Sequence, residues 1–134
     1  MKINATIFII VLLYSITSCK KETASKPETP STERAIKFHL YTTKDFSTDT
    51  QNIVFTLRIQ NGVKVYFDSS LAPMKVKDIP NFANKMVFEK KLPDSVTSKL
   101  LAGFIYSLEN VGNSWYYDTC NAKERVKVID YNFQ

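Results

Sequence analysis

Apolar and polar residues alternate along most of the chain beyond residue 33, and this alternation constrains the fold more than any other feature. Every second position of one run is apolar, namely Ile53, Phe55, Leu57 and Ile59. Because successive side chains of a strand point to opposite faces, such a run is typical of a strand with one buried face. Residues 36–41 show the same period, so they are predicted to form an earlier strand of the same kind.

A hairpin is predicted directly after the run 53–60. Asn61-Gly62 stands between two alternating segments, and both residues tolerate a positive φ. This dipeptide is the strongest short signal for a two-residue hairpin turn. The partner strand is expected over residues 63–68, with Val63, Val65 and Phe67 on one face.

The remaining strands follow at similar spacing. They are predicted over residues 85–91, 99–109, 115–120 and 126–133, and residues 95–101 are open to an alternative, a single helical turn. Residues 69–82 are expected to be irregular. Pro73 and Pro80 cannot donate to a ladder, so any strand in this segment should be short or at an edge. The alternation slips between Val128 and Ile129, which predicts a β-bulge.

About seven turn-bounded strands predict an all-β domain, an antiparallel β-sandwich covering residues 34–134. The layout resembles immunoglobulin-like and transthyretin-like sandwiches in architecture alone. The Cys–Trp–Cys pattern of antibody domains is absent from the sequence.

The first 18 residues have the order of a secretory signal peptide. Met1 and Lys2 carry positive charge, residues 7–13 are apolar, and the small residues Thr17 and Ser18 precede Cys19. The apolar run is shorter than the ~20 residues that a membrane-spanning helix needs.

Ile16-Thr17-Ser18-Cys19 resembles the lipobox of bacterial lipoproteins, and Cys19-Lys20-Lys21 is similar to the start of small lipoproteins of the Bacteroidota. The resemblance implies cleavage before Cys19, diacylglycerol on its sulfur and a third acyl chain on the new amino group. The lipid bilayer is then a partner through acylated Cys19, and the expected location is the outer membrane, on its periplasmic face or at the cell surface. An ordinary signal peptide followed by a Cys19–Cys120 disulfide is the alternative.

Residues 20–33 contain no large apolar side chain and include Pro27 and Pro30. Such a composition cannot form a core, so residues 19–33 are interpreted as the lipidated cysteine and a disordered tether. If Cys19 is acylated, Cys120 has no partner within the chain and is expected to be a buried thiol near a strand end.

The formal net charge is +5, but the lysines are spread along the chain and no arginine-rich stripe is present. Nucleic acid is therefore not an expected partner. Neither a metal nor a cofactor is predicted. The chain has one histidine, His39, which is placed on the polar face of the first strand.

Asp45, Ser47 and Asp49 are spaced like the opening of a calcium loop. The loop pattern then fails, because Thr50 stands where glycine is required and Thr56 where a bidentate glutamate is required. The segment is interpreted as a polar turn.

Four aromatic residues are predicted to lie close together on adjacent strands, namely Tyr106, Trp115, Tyr116 and Tyr117. On a strand, Trp115 and Tyr117 point to one side and Tyr116 to the other, so one side must be core. The other side could present an aromatic surface to a sugar ring or a protein. The alternative is that these residues are all structural.

No cluster of acidic, basic and nucleophilic residues indicates catalysis, so the chain is predicted not to be an enzyme. The function favoured by the sequence is a non-catalytic binding or interaction module at the cell envelope, with a glycan or a protein as partner. An envelope-protecting inhibitor or immunity-type lipoprotein is the alternative. An envelope hydrolase is the least favoured class.

Overall fold

The structure, a computed structural model, describes residues 33–93 and 95–134. The predicted signal peptide, the lipobox with Cys19 and nearly all of the predicted tether lie outside the described residues. The described residues form eight strands: β1 Arg34–Thr42, β2 Asn52–Asn61, β3 Lys64–Ser70, β4 Met74–Lys75, β5 Met86–Leu92, β6 Leu100–Leu108, β7 Gly112–Cys120 and β8 Val126–Phe133. Short 3-10 turns occupy Val76–Asp78 and Phe82–Asn84.

The strands form two packed sheets, which confirms the predicted all-β sandwich. Sheet A has the order β5-β1-β8, and sheet B has the order β3-β2-β6-β7 with the short β4 paired to β2. The pair β1–β8 is parallel, whereas the long strand pairs of sheet B are antiparallel. The predicted antiparallel sandwich thus contains one parallel strand pair, because strand direction depends on the path of the chain between distant segments.

The core lies between the sheets and is built from the alternating positions of the central strands. Along β1, residues 36, 38 and 40 are fully buried, and along β2 residues 53, 55 and 59 are fully buried. Phe104 of β6 lies between the two sheets, with its ring centroid 5.7 Å from that of Phe38 and 6.3 Å from that of Phe55. Each such ring contributes roughly 1.5–3 kcal/mol through burial.

The hairpin between β2 and β3 exists, but its turn lies one residue later than predicted. Asn61 pairs with Lys64, so the two turn residues are Gly62 and Val63. Gly62 has a φ of 54°, and Val63 is fully exposed. A positive φ at the first turn residue alone is the pattern of a type II′ turn, which requires glycine there.

The predicted common face of Val63, Val65 and Phe67 is also wrong. The register between β2 and β3 shifts after Ile59, because Ile59 pairs with Phe67 whereas Gln60 pairs with Val65. The extra residue of this bulge lets both Tyr66 and Phe67 pack against the core, and Val65 stays 46% exposed.

β8 contains no bulge, in contrast to the prediction. Its pairing with β1 runs in continuous register from Val126 to Phe133. Ile129 and Phe133 are buried, whereas Val126 and Val128 are exposed on the outer face of sheet A. The alternation looks interrupted in the sequence only because the solvent-facing positions 126 and 128 of this regular strand are also apolar.

Arg34 ties the start of sheet A to sheet B. Its guanidinium is buried and donates to the carbonyl oxygens of Ser98 at 2.7 Å, Cys120 at 2.9 Å and Asn121 at 2.7 Å. Its Nε has no hydrogen-bond partner in the described part of the chain. Residues 95–99 are not helical, so the alternative of a helical turn is not realised there.

Candidate functional site

The outer face of sheet B carries the most exposed aromatic side chain of the described residues. Trp115 lies directly opposite Ile105 in the pairing of β7 with β6, and it is 70% exposed. Ile105 in turn pairs with Thr56 of β2. Within the described residues no layer covers this face, so the indole is available for contact with a ligand.

A second row of the same face contains a gap over β6. Asp68, Arg58, Gly103 and Tyr117 stand opposite one another on the four successive strands of sheet B. Because Gly103 has no side chain, nothing on β6 separates Tyr117 from Arg58. The two rows together, Trp115, Tyr117, Arg58 and Asp68, are called the aromatic face below.

Arg58 and Asp68 form an ion pair, with the Arg58 Nε 3.1 Å from the Asp68 Oδ2. The hydrogen bond to Asp68 raises the pKa of Arg58, and the nearby Tyr117 adds to the same effect. The charge of Arg58 is thus held in place by the carboxylate of Asp68 and the side chain of Tyr117. Such a group can donate to hydroxyl, carbonyl or carboxylate oxygens of a ligand.

Close approach of the backbone explains glycine at position 103. A Cβ atom placed there would lie 1.9 Å from the carbonyl oxygen of Tyr116 on β7. The contact is with the main chain, which cannot turn away. Glycine within a strand often marks such an approach, and this signal in the sequence could have pointed to the site. No feature of the sequence near Arg58 or Asp68 indicated that these residues belong to the site.

The four predicted aromatic residues do not share one surface. Trp115 and Tyr117 lie on the outer face, whereas Tyr106 and Tyr116 point toward the inner side of sheet B. Tyr116 stacks on Tyr131 of β8 with ring centroids 5.0 Å apart, and Tyr106 lies 6.2 Å from the same ring. Burial and the hydrogen bond with Tyr106 raise the pKa of Tyr131.

The inner tyrosines close the edge of the sandwich where β7 and β8 meet. Beside them, the ammonium of Lys127 lies 2.8 Å from the carboxylate of Asp118. Their hydrogen bond lowers the pKa of Asp118 and raises that of Lys127. These contacts join the two sheets at one edge, so Tyr106 and Tyr116 have a structural role.

An open groove of about 700 Å³ lies near the end of β1. Phe46, Ile79 and Phe82 supply apolar lining, and Lys44 and Lys77 supply positive charge. Sequence reasoning missed this groove because three separate segments form it.

His39 lies on the outer face of sheet A, where its Nδ1 is 2.8 Å from the Oδ1 of Asp130. Asp45 and Asp49 accept hydrogen bonds from the backbone N–H groups of Ser47 and Gln51, so their carboxylates stabilise the turn. Among the described residues, no three His, Cys, Asp or Glu side chains lie close enough together to hold a metal ion.

Cys120 is a free, fully buried thiol at the end of β7. Burial raises its pKa to about 11. The thiolate is the reactive form of cysteine, and this environment suppresses it.

Comparison with protein-family models, with curated protein sequences and with solved structures gave no significant match. Within residues 33–93 and 95–134, no helix is long and apolar enough to cross a membrane.

Proposed function

We propose that this chain is a membrane-anchored lipoprotein whose β-sandwich is a non-catalytic binding module of the cell envelope. The observation that carries the binding function is the aromatic face, where Trp115 is 70% exposed. The partner of this face is a glycan or a protein of the envelope. The anchor is acylated Cys19, and the location is the outer membrane.

The chemistry of the aromatic face favours recognition. Trp115 and Tyr117 offer large contact area with few rotatable bonds, and the Arg58–Asp68 pair offers charged donors and acceptors beside them. Aromatic residues and arginine dominate the energetics of binding surfaces. Rigid strands carry all four residues, so little ordering is required when a ligand binds.

The anchor rests on the resemblance of Ile16-Thr17-Ser18-Cys19 to a lipobox. Two acyl chains suffice for stable attachment to a bilayer. An anchored module meets its partner in the same envelope, where local concentration compensates for modest affinity.

The test is capture of envelope components by the immobilised chain, with wild type compared with Trp115→Ala and Tyr117→Ala. We expect wild type to retain a glycan or protein fraction that both variants lose. Phe82→Ala is the matched control, because Phe82 is 56% exposed but lies outside the aromatic face. The control variant should bind like wild type.

Fluorescence gives a direct second measurement, since Trp115 is the one tryptophan of the chain. Addition of the captured fraction should change the emission of wild type and leave that of Tyr117→Ala unchanged. Capture that is equal in wild type and both face variants would refute the assignment of the aromatic face. Retention of an envelope-degrading enzyme by the immobilised chain would indicate that the chain is an inhibitor of that enzyme.

A further inference from the structure

Among the described residues, the sheet edges are formed by β3, β5, β7, β8 and the two-residue β4. All of the longer edge strands except β7 carry features that discourage pairing with another chain. β3 contains the bulge opposite Ile59 and Gln60. β5 carries Lys90 and Lys91, and β8 carries Lys127. Bulges and lysines on edge strands are the usual protection against edge-to-edge association.

β7 lacks these features. Its nine residues, Gly112–Cys120, contain no lysine, arginine or proline. Its pairing with β6 runs from Leu100–Cys120 to Leu108–Gly112 without a shift of register. The strand is thus long, regular and rich in aromatic residues, which is the description of an edge that accepts another strand.

The open side of β7 is formed by its odd-numbered residues. In an antiparallel ladder, alternate residues direct both backbone groups to the same neighbour. The carbonyl oxygen of Tyr116 approaches Gly103 of β6, so the even residues direct their backbone groups to β6 and the odd residues lie on the free edge. The N–H of Thr119, an odd residue, donates to the Asp118 Oδ1 at 2.6 Å. Among the described residues, no backbone hydrogen bond outside the sheet involves Asn113, Trp115 or Tyr117.

We propose that β7 pairs antiparallel with β7 of a second copy of this chain, with Tyr116 on the two-fold axis. This register uses all nine residues, since Gly112 then lies opposite Cys120 of the second copy. The odd residues face one another across the axis, so their backbone groups on the open edge form the hydrogen-bonded pairs of the new ladder. The N–H of Thr119 exchanges its bond to the Asp118 Oδ1 for one to Asn113 of the second copy. Sheet B becomes continuous through both copies.

The side chains of β7 suit this register. Trp115 lies opposite Tyr117 of the second copy, and aromatic pairs directly across two strands are stabilising. Asp118, the one charged residue of β7, lies opposite Ser114, so no like charges meet. Tyr116, which is 37% exposed in the single chain, is covered by its own counterpart.

This pairing goes beyond the proposed binding function and does not require it. It places the Trp115 and Tyr117 side chains of both copies on one continuous outer face. A ligand with repeating units could then contact both copies at once. Dimerisation in the absence of a ligand would support the pairing alone. Binding of a ligand by a monomer would support the binding function alone.

The register is tested with charges at Asn113 and Thr119, which lie opposite each other across the axis and about 20 Å apart within one chain. Asn113→Lys/Thr119→Lys places like charges opposite one another twice in the dimer. Asn113→Lys/Thr119→Glu places opposite charges there. Sedimentation equilibrium of the full-length chain in density-matched detergent measures the dissociation constant of each.

We expect wild type to dimerise, and we expect the Lys/Lys variant to dissociate at least about fivefold more readily than the Lys/Glu variant. Far-UV circular dichroism of both variants controls for folding. A wild-type chain that stays monomeric at every concentration would overturn the proposal. Equal dissociation constants of the two charge variants would also overturn it, because another surface would then mediate association.

Cross-linking in membranes provides a measurement that does not depend on charge. Chains with Asn113→Cys and chains with Thr119→Cys, mixed in one membrane, should be joined by a short bismaleimide. Each variant alone should give no cross-link, because identical positions lie roughly 20 Å apart across the axis. Cross-linking of either variant alone, or no cross-linking in the mixture, contradicts the register.

Discussion

Tyr116 of β7 and Tyr131 of β8 stack across the boundary between the two sheets, with their ring centroids 5.0 Å apart. Tyr131 also stacks on the buried Phe104 at 5.3 Å. Trp115, the immediate neighbour of Tyr116, points the other way and is 70% exposed. Adjacent aromatic residues of one strand therefore have different roles, and stability measurements can separate them.

Tyr131→Ala should lower the free energy of unfolding by about 3 kcal/mol, because it removes a partly buried ring from a stacked cluster. Trp115→Ala should change it by less than about 1 kcal/mol, since the side chain is mostly in solvent. Urea denaturation of both variants and wild type measures the difference. Equal costs for the two substitutions would show that Trp115 is packed and is not part of a binding face.

Gly103→Ala should destabilise the domain by about 2 kcal/mol or more, because the added methyl group meets the main chain of β7. Ser107→Ala is the matched control on the same strand, since Ser107 is exposed and alanine fits a strand without new contacts. The midpoint of urea unfolding measures both. An unchanged midpoint for Gly103→Ala would contradict the close approach of β6 and β7.

Cys120 should be unreactive in the folded chain at neutral pH and should be modified once by a thiol reagent after denaturation without reductant. The physical reason is burial, which raises its pKa from 9.0 to about 11. Counting modified thiols by mass spectrometry checks the result. Absence of a free thiol after denaturation would indicate a disulfide. It would favour the alternative in which Cys19 is bonded to Cys120 rather than acylated.

The same shift predicts a pH dependence of stability. Because the thiol ionises more easily in the unfolded chain, its stabilising contribution is complete below pH 9.0 and is lost as the pH rises toward about 11. The difference in unfolding free energy between wild type and Cys120→Ala should therefore decrease over this window. A constant difference would mean that the thiol is solvated in the folded state.

Wild-type chain should incorporate labelled palmitate in a bacterial host with the lipoprotein pathway, and it should partition into detergent. Cys19→Ala should do neither, because the acceptor sulfur is gone. Cys120→Ala is the matched control and should be labelled like wild type. Label retained by Cys19→Ala would refute the lipobox interpretation of Ile16-Thr17-Ser18-Cys19.

Several features of the fold could be predicted because they depend on local chemistry. The buried face of β2 follows from the apolar residues at every second position from Ile53 to Ile59, since strand geometry sends them to one side. A hairpin after residue 60 follows from the conformational freedom of Gly62, although the exact turn did not. Cys120 was correctly predicted to be buried near a strand end.

The candidate site was predictable only in part. Alternation places Trp115 and Tyr117 on one face of β7 and Tyr116 on the other, but it cannot tell which face is covered. The register with β6 decides this, because Tyr116 pairs with the buried Phe104. Arg58 and Asp68 join Tyr117 only because three strands bring them into one row beside Gly103.

The amino-acid sequence by itself determined seven of the eight strands and the buried faces of β1 and β2, since period-two alternation and glycine conformation act over a few residues. The tertiary structure decided the parallel pairing of β1 with β8 and the burial of Arg34. It also decided the separation of the tyrosine stack from the aromatic face. These features depend on contacts between residues such as Arg34 and Cys120, which lie 86 positions apart. Local propensity carries no information about such contacts, and the energy of packing the two sheets selects them.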